Sequence, residues 1–111
     1  MAYPRRVNIA TKCLNDGKAE DLSVINVKNL SPFADYYVIA TAGNIRHLGA
    51  LADRLDEAYL KEEEPVRKID GKPESGWVIV DANDVVVHLF TEEMRKEISL
   101  EHLIEIVDKN R

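Results

Sequence analysis

The sequence predicts an α/β (α+β) domain, a mixed sheet of about five strands flanked by helices. Three observations predict it. Apolar residues recur at helical spacing near both ends of the chain and in its middle, between residues 44 and 63. Short runs rich in valine, isoleucine and tyrosine, such as "YYVIAT" and "DVVVHLF", have the length of buried strands. The two kinds of segment follow one another as helix, strand, strand, helix, three strands, helix. With 111 residues, 45% of them hydrophobic, the chain is expected to form one domain, 1–111, around a single core.

Each element has its own local reason. Over residues 5–16, Val7, Ala10 and Leu14 share one helical face and Gly17 supplies the stop. "DLSVINV" (21–27) is a short strand, "KNLSPFAD" a loop, and "YYVIAT" (36–41) a strand buried on both sides. Asn44 is placed to cap a helix running to about residue 63, whose Leu48, Leu51, Ala52, Leu55 and Tyr59 form one stripe. "PVRKID" (65–70) reads as a short exposed strand with Pro65 at its start. "WVIV" and "DVVVHLF" form a hairpin through Asp81-Ala82-Asn83-Asp84, where Asn83 can take the left-handed conformation of a tight turn. Thr91 caps a last helix with Glu92 and Glu93 at its favourable dipole end, and Ser99 caps a second turn bearing Leu100, Leu103, Ile104 and Val107.

Composition narrows the function. Fifteen basic against twenty acidic residues leave a formal charge of −5, and Arg5-Arg6 is as long as any basic run. Phosphate-gripping proteins carry a basic face, so direct nucleic-acid binding is disfavoured; an acidic surface suits a basic protein partner. Cys13 is the single cysteine, which excludes an internal disulfide and a thiol set for zinc. The opening "MAYPRRVNIATKC" lacks the apolar core of a secretory signal, and no stretch reaches the roughly 18 apolar residues of a membrane span, so a cytoplasmic location is expected.

Reactive constellations are weak. Strand-Gly43-Asn44-helix resembles a phosphate cradle but carries neither GxGxxG nor GxxxxGK[ST] and reads as an ordinary turn. Asp35, Asp81 and Asp84 stand at strand edges, where converging carboxylates could hold magnesium for nucleotidyl transfer. The close Asp-x-Asp pair of such enzymes is missing, and Asp81 and Asp84 read better as turn residues. His47, His88 and His102 lack metal-site spacing. Arg46 and His47 read as a solvated helix start. Strand alternation puts Val85, Val87 and Leu89 on one face and Val86, His88 and Phe90 on the other. Likewise Trp77, Ile79 and Asp81 oppose Val78 and Val80. A face that opens with Trp and ends with Asp fits a partner surface as well as a core.

"DYYVIATAGNIRHLGALAD", "GWVIVDANDVVVHLF" and "LEHL" closely resemble the ribosomal silencing factor, or Iojap-like, family over nearly the whole chain. The specific pieces are Ser31, Asp35 and Tyr36, then Arg46, then Trp77, Asp81, Asp84 and His88. The resemblance implies a nucleotidyltransferase-like core without a working active site, and a non-enzymatic factor with no cofactor or metal. It also implies docking on the large ribosomal subunit through its basic protein L-fourteen, so that the small subunit cannot join and translation falls when nutrients are short. Family members are often dimers. On that basis Trp77 and Phe90 are expected as apolar anchors, Asp81 as the partner of a Lys or Arg, and His88 as an orienting group, beside Met94 and Arg95 of the next helix. Ala42, Ala82, Asn83, Ile98 and Ile104 depart from the family's usual residues, which weakens the hairpin tip and the last helix as contact points. Two rival readings remain: a metal-dependent nucleotidyl or phosphoryl transferase using Asp35, Asp81 and Asp84, and a plain homodimerisation module.

Overall fold

The computed structural model describes residues 3–109. Helix α1 (Arg5–Asp16) leads into β1 (Glu20–Asn26) and β2 (Tyr36–Ala42), followed by α2 (Ile45–Lys61) and β3 (Lys68–Asp70). A short 3-10 turn at Pro73–Ser75 precedes β4 (Trp77–Ala82) and β5 (Val85–Thr91), and α3 (Glu92–Ile98) and α4 (Leu100–Lys109) close the chain. The five strands form one mixed sheet in the order β1-β2-β5-β4-β3. Only the central β2–β5 pair is parallel.

Packing follows from the apolar stripes. Val7, Ala10 and Leu14 of α1 and Leu48, Leu51, Ala52, Leu55 and Tyr59 of α2 are all buried against one sheet face. That face is built from Tyr36, Val38, Ala40, Val78, Val80, Val85, Val87 and Leu89. The Tyr59 hydroxyl, deep in this layer, donates to the Arg6 backbone oxygen at 2.6 Å, which satisfies its one donor. Asn44 caps α2 by accepting from the His47 amide at 2.7 Å. The His47 ring then ties the β2–α2 turn to the end of α1: Nδ1 accepts from the Gly43 amide and Nε2 donates to the Gly17 oxygen, both at 2.8 Å. The helix start expected to be merely solvated is thus a three-way joint. Gly17 is required there by space, because a Cβ on it would lie 2.7 Å from Leu51 Cδ2.

Three expected boundaries shift. β3 is shorter than "PVRKID", since only Lys68–Asp70 pair with β4 and all three residues are exposed. The hairpin loop is tighter than the expected four residues: strand pairing runs to Ala82↔Val85, leaving Asn83 and Asp84 as the turn, with Asn83 at φ 70°. The last helix is broken into two at Ser99, which adopts φ 50°. Its hydroxyl donates to the Lys96 oxygen at 2.7 Å instead of capping the following turn.

Gly76 joins the 3-10 turn to β4 at φ 82°, and a Cβ there would stand 2.9 Å from Thr91 Oγ1 and 3.2 Å from Met94 Cβ. The Gly76→Ala variant is therefore expected to lose about 1–2 kcal/mol of stability or more, from left-handed strain plus displacement of the α3 cap. Urea unfolding followed by circular dichroism measures it.

Candidate partner-docking face

The other face of the sheet is only partly covered, by α3 and the start of α4. Register sets its side chains in rows across the strands. The first row runs Ile25, Tyr37, Val86, Asp81, Lys68, and the second Ser23, Ile39, His88, Ile79, Asp70. The third is Thr41, Phe90, Trp77. Short helix α3 caps the third row's end, with the Thr91 hydroxyl accepting from the Met94 amide at 3.3 Å. Tyr37, Val86, Ile79, Asp81 and Trp77 are half-buried, so an apolar and aromatic patch stays open beside a carboxylate.

The aromatic residues form one connected cluster. Trp77 stacks on Phe90 with ring centroids 5.2 Å apart, and its Nε1–H donates to His88 Nδ1 at 3.2 Å. The Tyr37 ring flanks His88 from the other side at 4.7 Å. His88 is 6% exposed and Phe90 fully buried. Phe90, expected as an anchor, and His88, expected to orient the contact, are instead covered by α3, Trp77 and Tyr37. Since an indole N–H can only donate, His88 Nδ1 must be bare and its proton sits on Nε2. That Nε2 is buried with no hydrogen-bond partner among the described residues. A buried donor left unpaired costs about 1–3 kcal/mol. Burial also pushes the His88 pKa from 6.5 down to about 4.

Arg95 is an internal strut. It bonds both Glu101 carboxylate oxygens at 3.0 Å, Thr41 Oγ1 at 2.8 Å, Ser23 Oγ at 3.3 Å and the Asp21 backbone oxygen at 2.5 Å. Its guanidinium therefore fixes α3 and the start of α4 to β1 and β2. The Arg95 hydrogen bond, more than the one from Ser23, holds the Glu101 carboxyl below its ordinary pKa. Met94, half-buried, packs over Gly76.

Of the three aspartates weighed for metal chemistry, Asp81 and Asp84 have their carboxylates engaged separately. Asp81 Oδ1 accepts from the Asn83 amide at 3.0 Å inside the hairpin, and Oδ2 lies 3.6 Å from Arg67. Asp84 accepts from Arg6 Nη1 at 2.9 Å, and its backbone oxygen accepts from the amides of Asp35 and Tyr36. Among the described residues, no three His, Cys, Asp or Glu side chains come together as metal ligands. No helix among them is long and apolar enough to cross a membrane. A concavity of about 650 Å³ lies over α1 and α2 and is lined by charges of both signs, including Lys12, Asp16, Arg54 and Glu57.

A family model described as "Ribosomal silencing factor during starvation" matches residues 2–110. The chain belongs to the ribosomal silencing factor family. It is 34% identical over 97 residues to the ribosomal silencing factor of Zymomonas mobilis, covering 87% of this chain and 73% of that one. The Bacillus subtilis silencing factor is 32% identical over 97 residues, covering 87% and 82%. A mouse protein named for mitochondrial assembly of the ribosomal large subunit is 34% identical over 100 residues, 87% of this chain but 44% of its own. A crystal structure of a Chromobacterium violaceum protein superposes with a TM-score of 0.88 at 26% identity, over 95% of this chain and 88% of that one. The Zymomonas and Bacillus relatives are named as ribosomal silencing factors, a regulatory role.

Within this chain, Ser31 of the resembling motif acts locally. Its Oγ accepts from the amides of Phe33 and Ala34, which shapes the turn into β2. Sequence reasoning singles out Trp77, Asp81 and His88, which register does bring onto one face. It places Ile79 and Val86 on that face without assigning them a role, and misses Tyr37 there and Phe33, 83% exposed on the β1–β2 loop. Parity with Trp77 and His88 flags Ile79 and Val86. Tyr37 needs the β2–β5 register.

The His88 shift has a consequence for pH. Between pH 6.5 and about 4 the unfolded chain takes up a proton that the folded ring refuses. The stability that His88 contributes is whole above the upper value and lost as pH falls through the lower one, a change of up to about 3 kcal/mol. The slope of stability against pH in this window is expected to flatten in His88→Phe, as measured by denaturant titration at a series of pH values.

Proposed function

We propose that the protein silences translation by docking on the large ribosomal subunit through the open sheet face around Trp77. The observation that carries this reading is the half-buried Trp77 on β4, with Ile79 and Asp81 further along the same face and Tyr37 on the far side of His88. Large aromatics in such settings are the usual anchors of protein interfaces. Trp77 serves as the apolar anchor and Asp81 as the counter-charge for a partner Lys or Arg. Phe90 and His88 support the indole from below, while Met94 and Arg95 hold the neighbouring helix. The partner is the basic large-subunit protein L-fourteen. A formal charge of −5 favours a cationic protein surface and keeps the domain off bare phosphate. The large-subunit name of the mouse relative agrees with that choice of subunit.

The action is steric and requires no catalysis. A domain bound where the small subunit must approach prevents joining for as long as it stays. A standard interface covers roughly 800 Å² per partner, within reach of this face and its rim. The factor acts in the cytoplasm. A homodimer formed through the same face would compete with ribosome binding, so the free pool and the bound monomer would exchange.

Trp77→Ala is expected to fold and to bind purified large subunits about thirtyfold more weakly, a loss of ~2 kcal/mol or more. Wild type should block subunit joining in light scattering and the variant should not. Equal binding by both proteins would remove Trp77 as the anchor. A variant that turns monomeric yet still binds subunits would assign the face to dimerisation instead.

A further inference from the structure

Trp77 is the sole tryptophan of the chain and projects from a strand onto an open face, where an indole ordinarily samples several rotamers. Here it is held twice. The stack on Phe90, inclined by 27°, fixes the plane of the ring. Stacking alone is tolerant of end-for-end reversal, because both ends of the indole present a π surface. The bond from Nε1–H to His88 Nδ1 at 3.2 Å removes that freedom, since only one edge of the ring carries a donor.

His88 is itself immobile. Register seats it between Ile39 and Ile79, with the Tyr37 ring against it. The residue type is informative. A phenylalanine or leucine at this place would avoid burying an Nε2–H that has no acceptor. Neither would offer an acceptor to the indole. The charged groups of the surrounding elements are spoken for or set aside: Arg95 of α3 is bound to Glu101 and Thr41, and Asp81 of β4 to the hairpin amide and Arg67. Asp70 of β3 pairs with Lys68. The imidazole therefore meets Trp77 as a neutral acceptor.

We propose that His88 is a positioning residue, whose bare Nδ1 locks the Trp77 indole in the one orientation displayed on the open face. Its importance for a partner rests on the proposed docking; the lock itself does not.

The test compares wild type with His88→Phe, which removes the acceptor, and His88→Asn, whose Oδ1 can stand close to the place of Nδ1. The readout is solvent exchange of the single indole N–H by NMR, with circular dichroism confirming the fold. Exchange is expected to be about tenfold faster in His88→Phe and to return toward the wild-type rate in His88→Asn. Protection in wild type should vanish as pH falls through about 4, where Nδ1 takes a proton, and His88→Asn should show no such step. Unchanged exchange in a folded His88→Phe overturns the lock. If that variant does not fold, a wild type lacking the acid step overturns it equally. Binding to purified large subunits is measured beside this. About fivefold weaker binding by His88→Phe, recovered in His88→Asn, shows that the partner reads the locked indole. Altered exchange with no wild-type binding keeps the lock and removes the proposed docking.

Discussion

The alternation of β5 between β2 and β4 is the constraint from which both faces of the sheet derive. Val85, Val87 and Leu89 have no exposed surface and lie against α1 and α2. Because strand side chains alternate, that burial forces Val86, His88 and Phe90 to the opposite side. A slip of one residue would bury the imidazole among the helices and turn the valines outward. The apolar content of one face therefore sets which side chains the other face displays. Parallel pairing with β2 and antiparallel pairing with β4 then bring Tyr37 and Trp77 to diagonal positions around His88.

That second face is kept half-open by economy of cover. A full helix layer would hide Trp77, and no layer at all would leave Phe90 and Ile39 wet. The short α3 resolves this by shielding one end only, and Arg95 carries its attachment. A side chain with five donors is suited to joining a carboxylate, two hydroxyls and a carbonyl at once. Gly76 permits the close approach, because any side chain there would meet Thr91 and Met94.

Much of this is legible in the chain. The stripe from Leu48 to Tyr59 declares α2 and its buried side, and the parity of Trp77 with Asp81 and of Val86 with His88 and Phe90 declares the second face. Caps at Asn44 and Thr91 are visible because their side chains act on amides three residues away. What stays hidden depends on contacts distant in sequence. The burial of Phe90 requires α3 to fold back over it. Arg95 reads as a helix-surface cation until Ser23, 72 positions earlier, comes within 3.3 Å. Likewise His47 looks like a solvated helix start until Gly17 arrives beside it. Ser99 has the chemistry of a cap and instead breaks the helix, since nothing local signals its left-handed backbone.

Helix α4 has no buried residue, and Leu103 and Val107 stand about half exposed. A ten-residue helix holds itself together poorly in water, and the first-turn grip of Arg95 and Ser23 on Glu101 helps to hold it, beside half-buried Leu100 and Ile104. The sheet and its two long helices share one buried core, whereas α4 adds no fully buried residue to it. In this sense α4 is an appendage to the core, so that fraying of its last turn would leave the layer buried beneath β4 and β5 in place.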